Sequence, residues 1–397
     1  MAHIAQDSLA TIYFTFTWKS SHASHIENYL ARNVSFTRDI LPVGVKSRMR
    51  GLGEGDSVQM TLDPSEVPAF KPGKILDMPI ARFQPNELDM RPRIGRYYPK
   101  YFIASVPGTR PDSTTPFRVV NVDRGGFKAD LNHPMAGREV TMKAKVIEIT
   151  DKSSAKGVLN RWPDIFFSGP GMQVRLLDSP TDFLGNEPFK REDEAGDADF
   201  YANPHRIHHL DNQARHNVQT AYGHLLTDGM DILDLMAGQT SHLPSALKPR
   251  SMTGLGLNKR EMEDNTALTA NSVHNLNEDP KLPFADNSFD AIISTGGIEY
   301  LTKPFEIFDE AARVLRPGGM FIVVFSNQWF QPKVVHIWRE LLDFERMGLV
   351  SQYFIRSGEY EGITTYSDRG WSSSDAAKGE DGTPSSDPIY AVWATKR

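Results

Sequence analysis

The feature that most constrains this 397-residue chain is an ordered series of short apolar segments between Asp231 and Ser326. The segments begin at residues 231 (DILDLMAG), 251 (SMTGLG), 289 (FDAIIST) and 320 (MFIVVF), with polar or helix-like stretches between them. Short apolar runs bounded by glycine and proline are typical of buried parallel strands. The order therefore predicts a doubly wound α/β sheet, whose ligands bind beyond the carboxyl ends of the strands.

Two further motifs lie in the same region. They are LPFADNSFD at residues 282–290 and ARVLRPGG at residues 312–319. With them, residues 199–397 resemble the class I S-adenosylmethionine-dependent methyltransferases, and within that class the type 11 enzymes that include the UbiE-like proteins. The resemblance implies a seven-stranded Rossmann-like methyltransferase sheet, S-adenosylmethionine as cofactor and a small-molecule methyl acceptor.

The same resemblance places the cofactor at the loops that follow the strands. Gly238 follows the first strand, and a glycine there lets backbone N–H groups approach a ligand closely. If the residues around Gly238 are considered alone, an ordinary strand-to-loop turn is the alternative. The residues expected to contact the cofactor are Asp234, Met236, Ala237, Gly238, Gln239, Thr240, Gly256, Leu257, Asn258, Asn277, Ser294 and Thr295.

Two positions depart from the family pattern. The loop usually holds two or three glycines, whereas Gly238 stands alone, and Gly256 occupies the position of an acid that binds the ribose hydroxyls. We expect Asn258 to supply a neutral substitute, which contributes only about 0.5–1.5 kcal/mol against about 1.5–3 kcal/mol for a charged partner. The alternative is that the site no longer binds the usual cofactor.

Candidate acceptor-side residues lie in two segments. The loop after the fourth strand borders the transferred methyl group in the family, so Glu299 is expected as general base and Tyr300 as the hydroxyl that orients the acceptor. Tyr201, His208 and His209 are expected to contact the substrate from the amino-terminal side. Ordinary helix packing is the alternative for both segments, and no metal site is expected.

The amino-terminal half has a different pattern. Residues 10–17, 57–62 and 140–149 alternate between apolar and polar side chains, which predicts β-strands. A short helix is predicted from Val43 to Met49, stopped by Gly51. Together with NHPMAG at residues 132–137, this order resembles the SlyD-type FKBP prolyl isomerases, which implies a β-rich α+β barrel over residues 1–150 with an inserted flap domain at about 70–132.

The FKBP resemblance implies a bowl of side chains that binds proline-containing peptides. Pro68 and Met142 stand where the family usually has aromatic residues, so we expect weak or absent isomerase activity. Membership of an ordinary barrel core is an equally good interpretation of the apolar residues. The candidate peptide-binding residues are Tyr13, Phe36, Leu41, Val45 and Met142.

Composition limits the remaining possibilities. A net charge of −6 argues against a general nucleic-acid binder, and the absence of cysteine excludes disulfides. No apolar run approaches the roughly 18 residues of a membrane span, and no secretory signal is recognised, so a cytoplasmic protein without membrane contact is expected. Residues 151–198 are interpreted as a linker, exposed where Asp182–Asp199 is polar and acidic.

Two hypotheses follow from the sequence. The first is a methyltransferase for a small molecule, fused to an FKBP-like module. The second is a folding helper or peptide-binding protein whose α/β domain is a degenerate scaffold. Gly256 and the single loop glycine favour the second hypothesis, and the two intact motifs at 282–290 and 312–319 favour the first.

Overall fold

The computed structural model describes residues 2–5, 7–85, 90–103, 114–150, 159–176, 179–202, 210–375 and 385–397. Their strands form one sheet of eleven strands and one of four. Among these residues, no helix is both long enough and apolar enough to cross a membrane.

The amino-terminal half is mainly antiparallel. Its elements are β1 (Leu9–Lys19), β2 (Ser24–Ser35), α1 (Val43–Met49), β3 (Ser57–Thr61), β4 (Ile75–Pro79), β5 (Tyr97–Pro99), β6 (Pro116–Val122), β7 (Gly126–Asp130) and β8 (Thr141–Thr150). Alternate residues of β1 are buried, as period-2 patterning requires. The predicted helix at 43–49 is confirmed, and it ends before Gly51, whose φ of 81° is a conformation that glycine adopts without steric cost.

The carboxyl-terminal half alternates strands with helices. Its elements are α2 (Asp197–Phe200), α3 (Asn212–Leu225), β9 (Asp231–Leu235), β10 (Ser251–Gly256), α4 (Lys259–Asp264), β11 (Ala270–Val273), β12 (Phe289–Thr295), α5 (Pro304–Val314), β13 (Leu315–Phe325), α6 (His336–Glu340), α7 (Asp343–Ser357), β14 (Tyr360–Arg369) and β15 (Ile389–Lys396). The strand order is β11-β10-β9-β12-β13-β15-β14. The first five strands are parallel, and β15 runs antiparallel to both of its neighbours.

This order confirms the predicted doubly wound, Rossmann-like sheet of seven strands. Its central strands are apolar along their length because both faces are covered. Leu233 and Ile292 pack into the core shared with α5 and α7, whereas Ile232 and Ile293 pack on the opposite face with α3. The sheet therefore holds the loops that follow β9, β10 and β12 along one edge.

The two halves of the chain share one backbone hydrogen-bonded sheet. β14 pairs in parallel with β2, from Thr364 opposite Ser24 to Arg369 opposite Tyr29. The order continues as β2-β1-β8-β3, so these strands extend the large sheet and, within the described residues, do not close a barrel of their own. The small sheet, β4-β7-β6-β5, is inserted between β3 and β8.

The segment interpreted as an exposed linker is partly buried, which corrects that expectation. Trp162 and Phe166 pack into the amino-terminal core, and Phe183 packs into the core of the methyltransferase-like sheet. The acidic composition was misleading, because the side chain of Asp197 is buried in an ion pair with Arg191. The polarity of a segment does not show whether its charged side chains are exposed or are buried in ion pairs that form only in the folded chain.

Candidate functional site

A cavity of about 220 Å³ lies at the carboxyl ends of the parallel strands. The loops after β9, β10, β11, β12 and β13 form most of its wall, and Arg191, Asp197 and Tyr201 form its cover. Ten of the predicted cofactor residues line it: Met236, Ala237, Gly238, Gln239, Thr240, Gly256, Leu257, Asn258, Asn277 and Thr295. The two remaining ones, Asp234 and Ser294, are buried and do not line the cavity.

The loop after β9 adopts a left-handed backbone conformation of the kind that glycine favours, although the residue in that conformation is not a glycine. Met236 has a φ of 63°, a left-handed conformation that costs a non-glycine residue about 1–2 kcal/mol. Its side chain packs over Gly297, where a β-carbon would lie 2.9 Å from the Met236 sulfur. The Ala237 N–H then donates to the Leu255 carbonyl at 2.8 Å. The loop shape is therefore held by contacts with β10 and with the loop after β12.

Gly256 is required by the close approach of two backbone segments. A β-carbon at this position would overlap the carbonyl oxygen of Ala237 and lie 3.3 Å from its carbonyl carbon. No side chain fits there, so the acid that the family carries at this position is excluded sterically. The structure thus explains the departure that the sequence shows.

Asn258 lines the cavity, but its side chain forms hydrogen bonds with other residues of the chain. Its Oδ1 accepts hydrogen bonds from the N–H groups of Arg260 at 3.0 Å and Glu261 at 3.2 Å, which caps α4. Its Nδ2 donates to the Tyr201 carbonyl at 2.8 Å. The ribose contact expected of Asn258 remains a prediction, and the amide oxygen it needs already has two donors.

Glu261 is a cavity residue that our sequence reasoning missed. It lies in the first turn of α4, and a β-carbon on Gly238 would be 3.4 Å from its Oε2. The family pattern directs attention to the strand end at 256. The only sequence signal for Glu261 was an acidic residue five positions after Gly256, and the surrounding stretch has the pattern of an ordinary charged helix.

Asp234 is a buried carboxyl group at the end of β9, between β10 and β12. Burial raises the pKa of Asp234 to about 7. Its Oδ2 has no hydrogen-bond partner among the described residues. A buried acceptor without a partner is costly unless a ligand or water satisfies it.

The side of the cavity next to the loop after β12 contains Glu299 and a group of aromatic rings. Glu299 is 2% exposed, its Oε2 has no partner among the described residues, and burial raises the pKa of Glu299 to about 7. The Tyr300 hydroxyl accepts a hydrogen bond from the Phe330 N–H at 2.8 Å, and burial raises the pKa of Tyr300. Phe200 packs edge-on against both Tyr201 and Phe330, with ring centroids 4.9 and 6.4 Å apart.

The cover of the cavity is held by buried charges. Asp197 pairs with Arg191 at 2.6 Å and accepts from the Asn277 amide at 2.8 Å, and the Lys333 ammonium lies 3.5 Å away. The Asn277 oxygen also accepts from the Thr302 N–H at 2.8 Å, so this predicted cofactor residue mainly ties the cover to the loops. Sequence reasoning missed both Arg191 and Asp197. Two predicted substrate residues, His208 and His209, lie outside the described residues.

The predicted peptide-binding residues do not form an open bowl, which corrects that interpretation. Four of them lie in the amino-terminal core and are at most 7% exposed: Phe36, Leu41, Val45 and Met142. Trp162 and Phe166 pack into the same core, with Phe166 stacked 4.1 Å from Phe16. Tyr13 is half-buried beside Trp371, at 5.7 Å between ring centroids. Other residues of the same chain therefore cover the apolar surface that was predicted to bind a peptide.

Comparison with known proteins locates a family match in the carboxyl-terminal half. Residues 233–323 match a family model described as Methyltransferase domain. The chain is 49% identical over 51 residues to the ubiquinone/menaquinone biosynthesis C-methyltransferase UbiE of Roseobacter denitrificans, a stretch that covers 13% of this chain and 20% of that protein. It is 32% identical over 121 residues to the demethylmenaquinone methyltransferase of Paenarthrobacter aurescens, covering 28% of this chain and 44% of that protein. The matched stretches thus span less than half of either relative.

Solved structures of similar proteins include two S-adenosylmethionine-dependent methyltransferases. The one from Mesorhizobium loti has 18% identity and a TM-score of 0.30, and covers 45% of this chain and 96% of its own. The one from Aquifex aeolicus has 17% identity and a TM-score of 0.31, and covers 51% of this chain and 97% of its own.

S-adenosylmethionine is the cofactor of the domain family that residues 233–323 match. The residues of the cavity fit such a group. Gly238 leaves the backbone accessible, and Leu257 and Leu276 provide an apolar wall for a flat base. Behind these residues, the buried Oδ2 of Asp234 at the end of β9 has no hydrogen-bond partner among the described residues. When bound, the cofactor would supply an electrophilic methyl group on sulfur.

Proposed function

We propose that this protein is an S-adenosylmethionine-dependent methyltransferase that acts on a small molecule bound in the cavity between the cover and the loop after β12. The observation that carries the proposal is the position of this cavity. It lies at the carboxyl ends of the strands, and most of its lining residues fall within the region that matches the methyltransferase domain model. The same match argues against the degenerate scaffold of the second hypothesis.

We infer separate tasks for the residues of the chain. The loops after β9 and β10 bind the cofactor, and the aromatic rings of Tyr201, Tyr300 and Phe330 exclude water and orient the acceptor. Alignment of two reactants supplies much of the rate enhancement in such a reaction. Glu299 removes the proton that the acceptor loses, and a pKa of about 7 for Glu299 suits a base that works near neutral pH.

We infer that the acceptor is flat and carries an ionisable O–H or N–H group. The aromatic wall favours a planar ring, and the Glu299 oxygen without a partner favours a proton donor. The relatives named above are a demethylmenaquinone methyltransferase and a ubiquinone/menaquinone C-methyltransferase. Quinol-like compounds therefore belong in the first panel of acceptors.

The test measures transfer of a labelled methyl group from S-adenosylmethionine to demethylmenaquinol, simple phenols and aromatic amines. We expect Glu299→Gln to lower the rate by about 10²–10⁴, the usual contribution of a general base. The wild-type rate should rise with pH through about 7, and this rise should be absent in the variant. Binding of S-adenosylhomocysteine should be unchanged.

Glu306→Gln is the matched control, since Glu306 is exposed on α5 and should leave both rate and pH profile unchanged. Failure of wild-type protein to bind S-adenosylmethionine at millimolar concentration would overturn the proposed function. An unaltered pH profile in Glu299→Gln would instead remove Glu299 from the role of base.

For the amino-terminal half we infer an FKBP-like plan without prolyl isomerase turnover. The small sheet of β4 to β7 falls inside the predicted flap range, which supports the plan. Pro68 and Met142 replace the expected aromatic residues, and Met142 is fully buried, which supports the lack of turnover. A protease-coupled isomerase assay on the full chain tests this inference, and turnover at the level of an ordinary FKBP would contradict it.

A further inference from the structure

We propose that Asn265, in the turn after α4, is a positioning residue that holds the loop after β9 in the shape that binds the cofactor. The inference rests on the proposed function only in that the cavity takes S-adenosylmethionine. It assigns a task to a side chain that does not line the cavity and that lies outside the motifs recognised in the sequence.

The loop after β9 has a shape that its own sequence does not favour. It contains one glycine, Gly238, and two other residues of the loop, Met236 and His242, have left-handed φ values of 63° and 54°. Residues in such conformations persist only where the surrounding structure fixes them. The loop therefore depends on contacts from elsewhere in the chain, in place of the missing glycines.

The Asn265 side chain provides such contacts from behind the loop. Its Nδ2 donates to the Gly238 carbonyl at 3.0 Å and to the Ser241 hydroxyl at 2.9 Å. Its Oδ1 accepts from the Ala267 N–H at 3.1 Å, and the residue is 4% exposed. Both donors of the amide are thus used on the loop, while its oxygen fixes the amide to the turn after α4.

The contact continues to the end of β9. Ser241 is buried, and its hydroxyl donates to the Asp234 carboxyl, which opposes the rise in the Asp234 pKa that burial causes. Asp234 lies between β10 and β12 in the sheet. Asn265, Ser241 and Asp234 therefore form one buried chain of hydrogen bonds that ties the loop both to α4 and to the sheet.

The direction of the Gly238 carbonyl decides what the loop presents to a ligand. In a trans peptide, the C=O group and the N–H group of the next residue point in opposite directions. A Gly238 carbonyl that faces Asn265 therefore turns the Gln239 N–H to the other side, and both loop residues line the cavity. This N–H has no acceptor among the described residues, so it is available to the carboxylate of the cofactor's amino-acid end.

The experiment compares two ligands by titration calorimetry: S-adenosylhomocysteine and methylthioadenosine, which lacks the amino and carboxylate groups. Wild-type protein should bind S-adenosylhomocysteine more tightly. Asn265→Ala should weaken binding of S-adenosylhomocysteine by about 10-fold, the effect of losing two neutral hydrogen bonds. Its affinity for methylthioadenosine should stay within about two-fold of the wild type, because that ligand has no carboxylate for the loop to bind.

A pH profile separates the lost hydrogen bonds from a general loss of packing. Asn265→Asp keeps the size of the side chain and the acceptor for Ala267, but it places a carboxylate oxygen against the Gly238 carbonyl. A protonated carboxyl regains one donor, so its deficit relative to the wild type should shrink as pH falls from about 9 to about 5. Asn265→Ala regains no donor, and its deficit should stay constant. Ser241→Ala removes only one bond of the chain and should weaken binding of S-adenosylhomocysteine by about three-fold.

Asn271→Ala is the matched control. Asn271 is exposed on β11 and does not line the cavity, so both affinities should stay at the wild-type values. Thermal melts show which variants are folded at the temperature of the titration. Equal weakening of both ligands by folded Asn265→Ala and Ser241→Ala proteins, or no weakening of either ligand, would overturn the proposal. Wild-type protein that does not discriminate the two ligands would also overturn it, and that measurement needs no variant. Wild-type protein that binds neither ligand would overturn the proposed function as well.

Discussion

At one end of the eleven-stranded sheet, glycines and polar side chains beyond β9, β10 and β12 line an open cavity. At the other end, apolar side chains of β1 and β8 are covered by Trp162, Ile165 and Phe166 from the same chain. Both ends resembled binding sites in the sequence. The difference shows that a surface can bind a ligand only if no distant part of the chain packs over it. A local sequence motif does not show whether such packing occurs.

The largest effect is expected from a substitution that breaks the contact between the loops after β9 and β10, which shapes the cavity. Gly256→Asp adds the family's acid, but its β-carbon would overlap the Ala237 carbonyl. We expect loss of detectable cofactor binding and a large fall in melting temperature, as measured by calorimetry and thermal melting. Gly223→Ala is the control, because the nearest atom to its new β-carbon is an ordinary 3.5 Å away. A Gly256→Asp protein that binds the cofactor more tightly would show that the two loops separate easily.

A second prediction concerns how firmly the inserted small sheet is attached to the methyltransferase-like half. Arg96, adjoining β5, is 1% exposed and reaches Glu345 of α7 at 3.1 Å. Arg96→Met leaves a buried carboxylate without its cation, so the free energy of unfolding should fall by about 3–5 kcal/mol. Denaturant unfolding measures this. The exposed pair of Lys128 and Asp77 in the small sheet is the control, and Lys128→Met should cost under about 1 kcal/mol.

The third prediction compares buried carboxyls in the two halves. Burial raises the pKa of Glu27 in β2 to about 7, although Gln173 donates to it at 2.8 Å and Ser367 also donates. Between the ordinary pKa of 4.5 and this raised pKa, the folded protein binds a proton that the unfolded chain does not. The contribution of Glu27 to the free energy of unfolding therefore falls as pH rises from about 4.5 to 7.

Glu27→Gln should remove that dependence. The variant should gain up to about 3 kcal/mol over the wild type at pH 8, and little at pH 4.5, since one pKa unit corresponds to about 1.4 kcal/mol. Unfolding at several pH values gives the difference curve, in which the shared titrations of Asp234 and Glu299 cancel. Glu148→Gln, an exposed control on β8, should give a flat difference. A flat curve for Glu27→Gln as well would mean that Glu27 stays ionised in the fold.

The smallest expected effect distinguishes a cap from a ligand. Asn258→Ala should lower the free energy of unfolding by about 1 kcal/mol, the usual cost of losing a helix N-cap. Asn258→Ser restores a capping oxygen and should recover most of that stability. If Asn258 instead binds the ribose, both variants would lose cofactor affinity several-fold, and the serine variant would do so at nearly normal stability.

Much of the fold was predictable because it depends on residues close together in the chain. Apolar runs that end in glycine defined β9, β10 and β12, and their order predicted the doubly wound sheet. The helix at 43–49 was predicted to stop at Gly51, and it does end before that residue. The site was predictable where it lies in the loops directly after these strands, since the fold brings the carboxyl ends of parallel strands together.

The remaining features depend on contacts between distant residues. The left-handed Met236 is supported by Gly297, the need for glycine at 256 comes from Ala237, and the cover is held by Arg191, Asp197 and Lys333.

By itself, the sequence determined the kind of sheet, the edge where its ligand binds and the cofactor that its motifs imply, because each of these is encoded by periodicity and by short motifs. Only the tertiary structure decided which of two apolar surfaces stays open, and that Glu261 rather than position 256 brings a carboxylate to the cavity. It also decided that β14 and β2 join the halves into one sheet. The physical reason is that close packing and the satisfaction of buried charges are properties of the assembled chain.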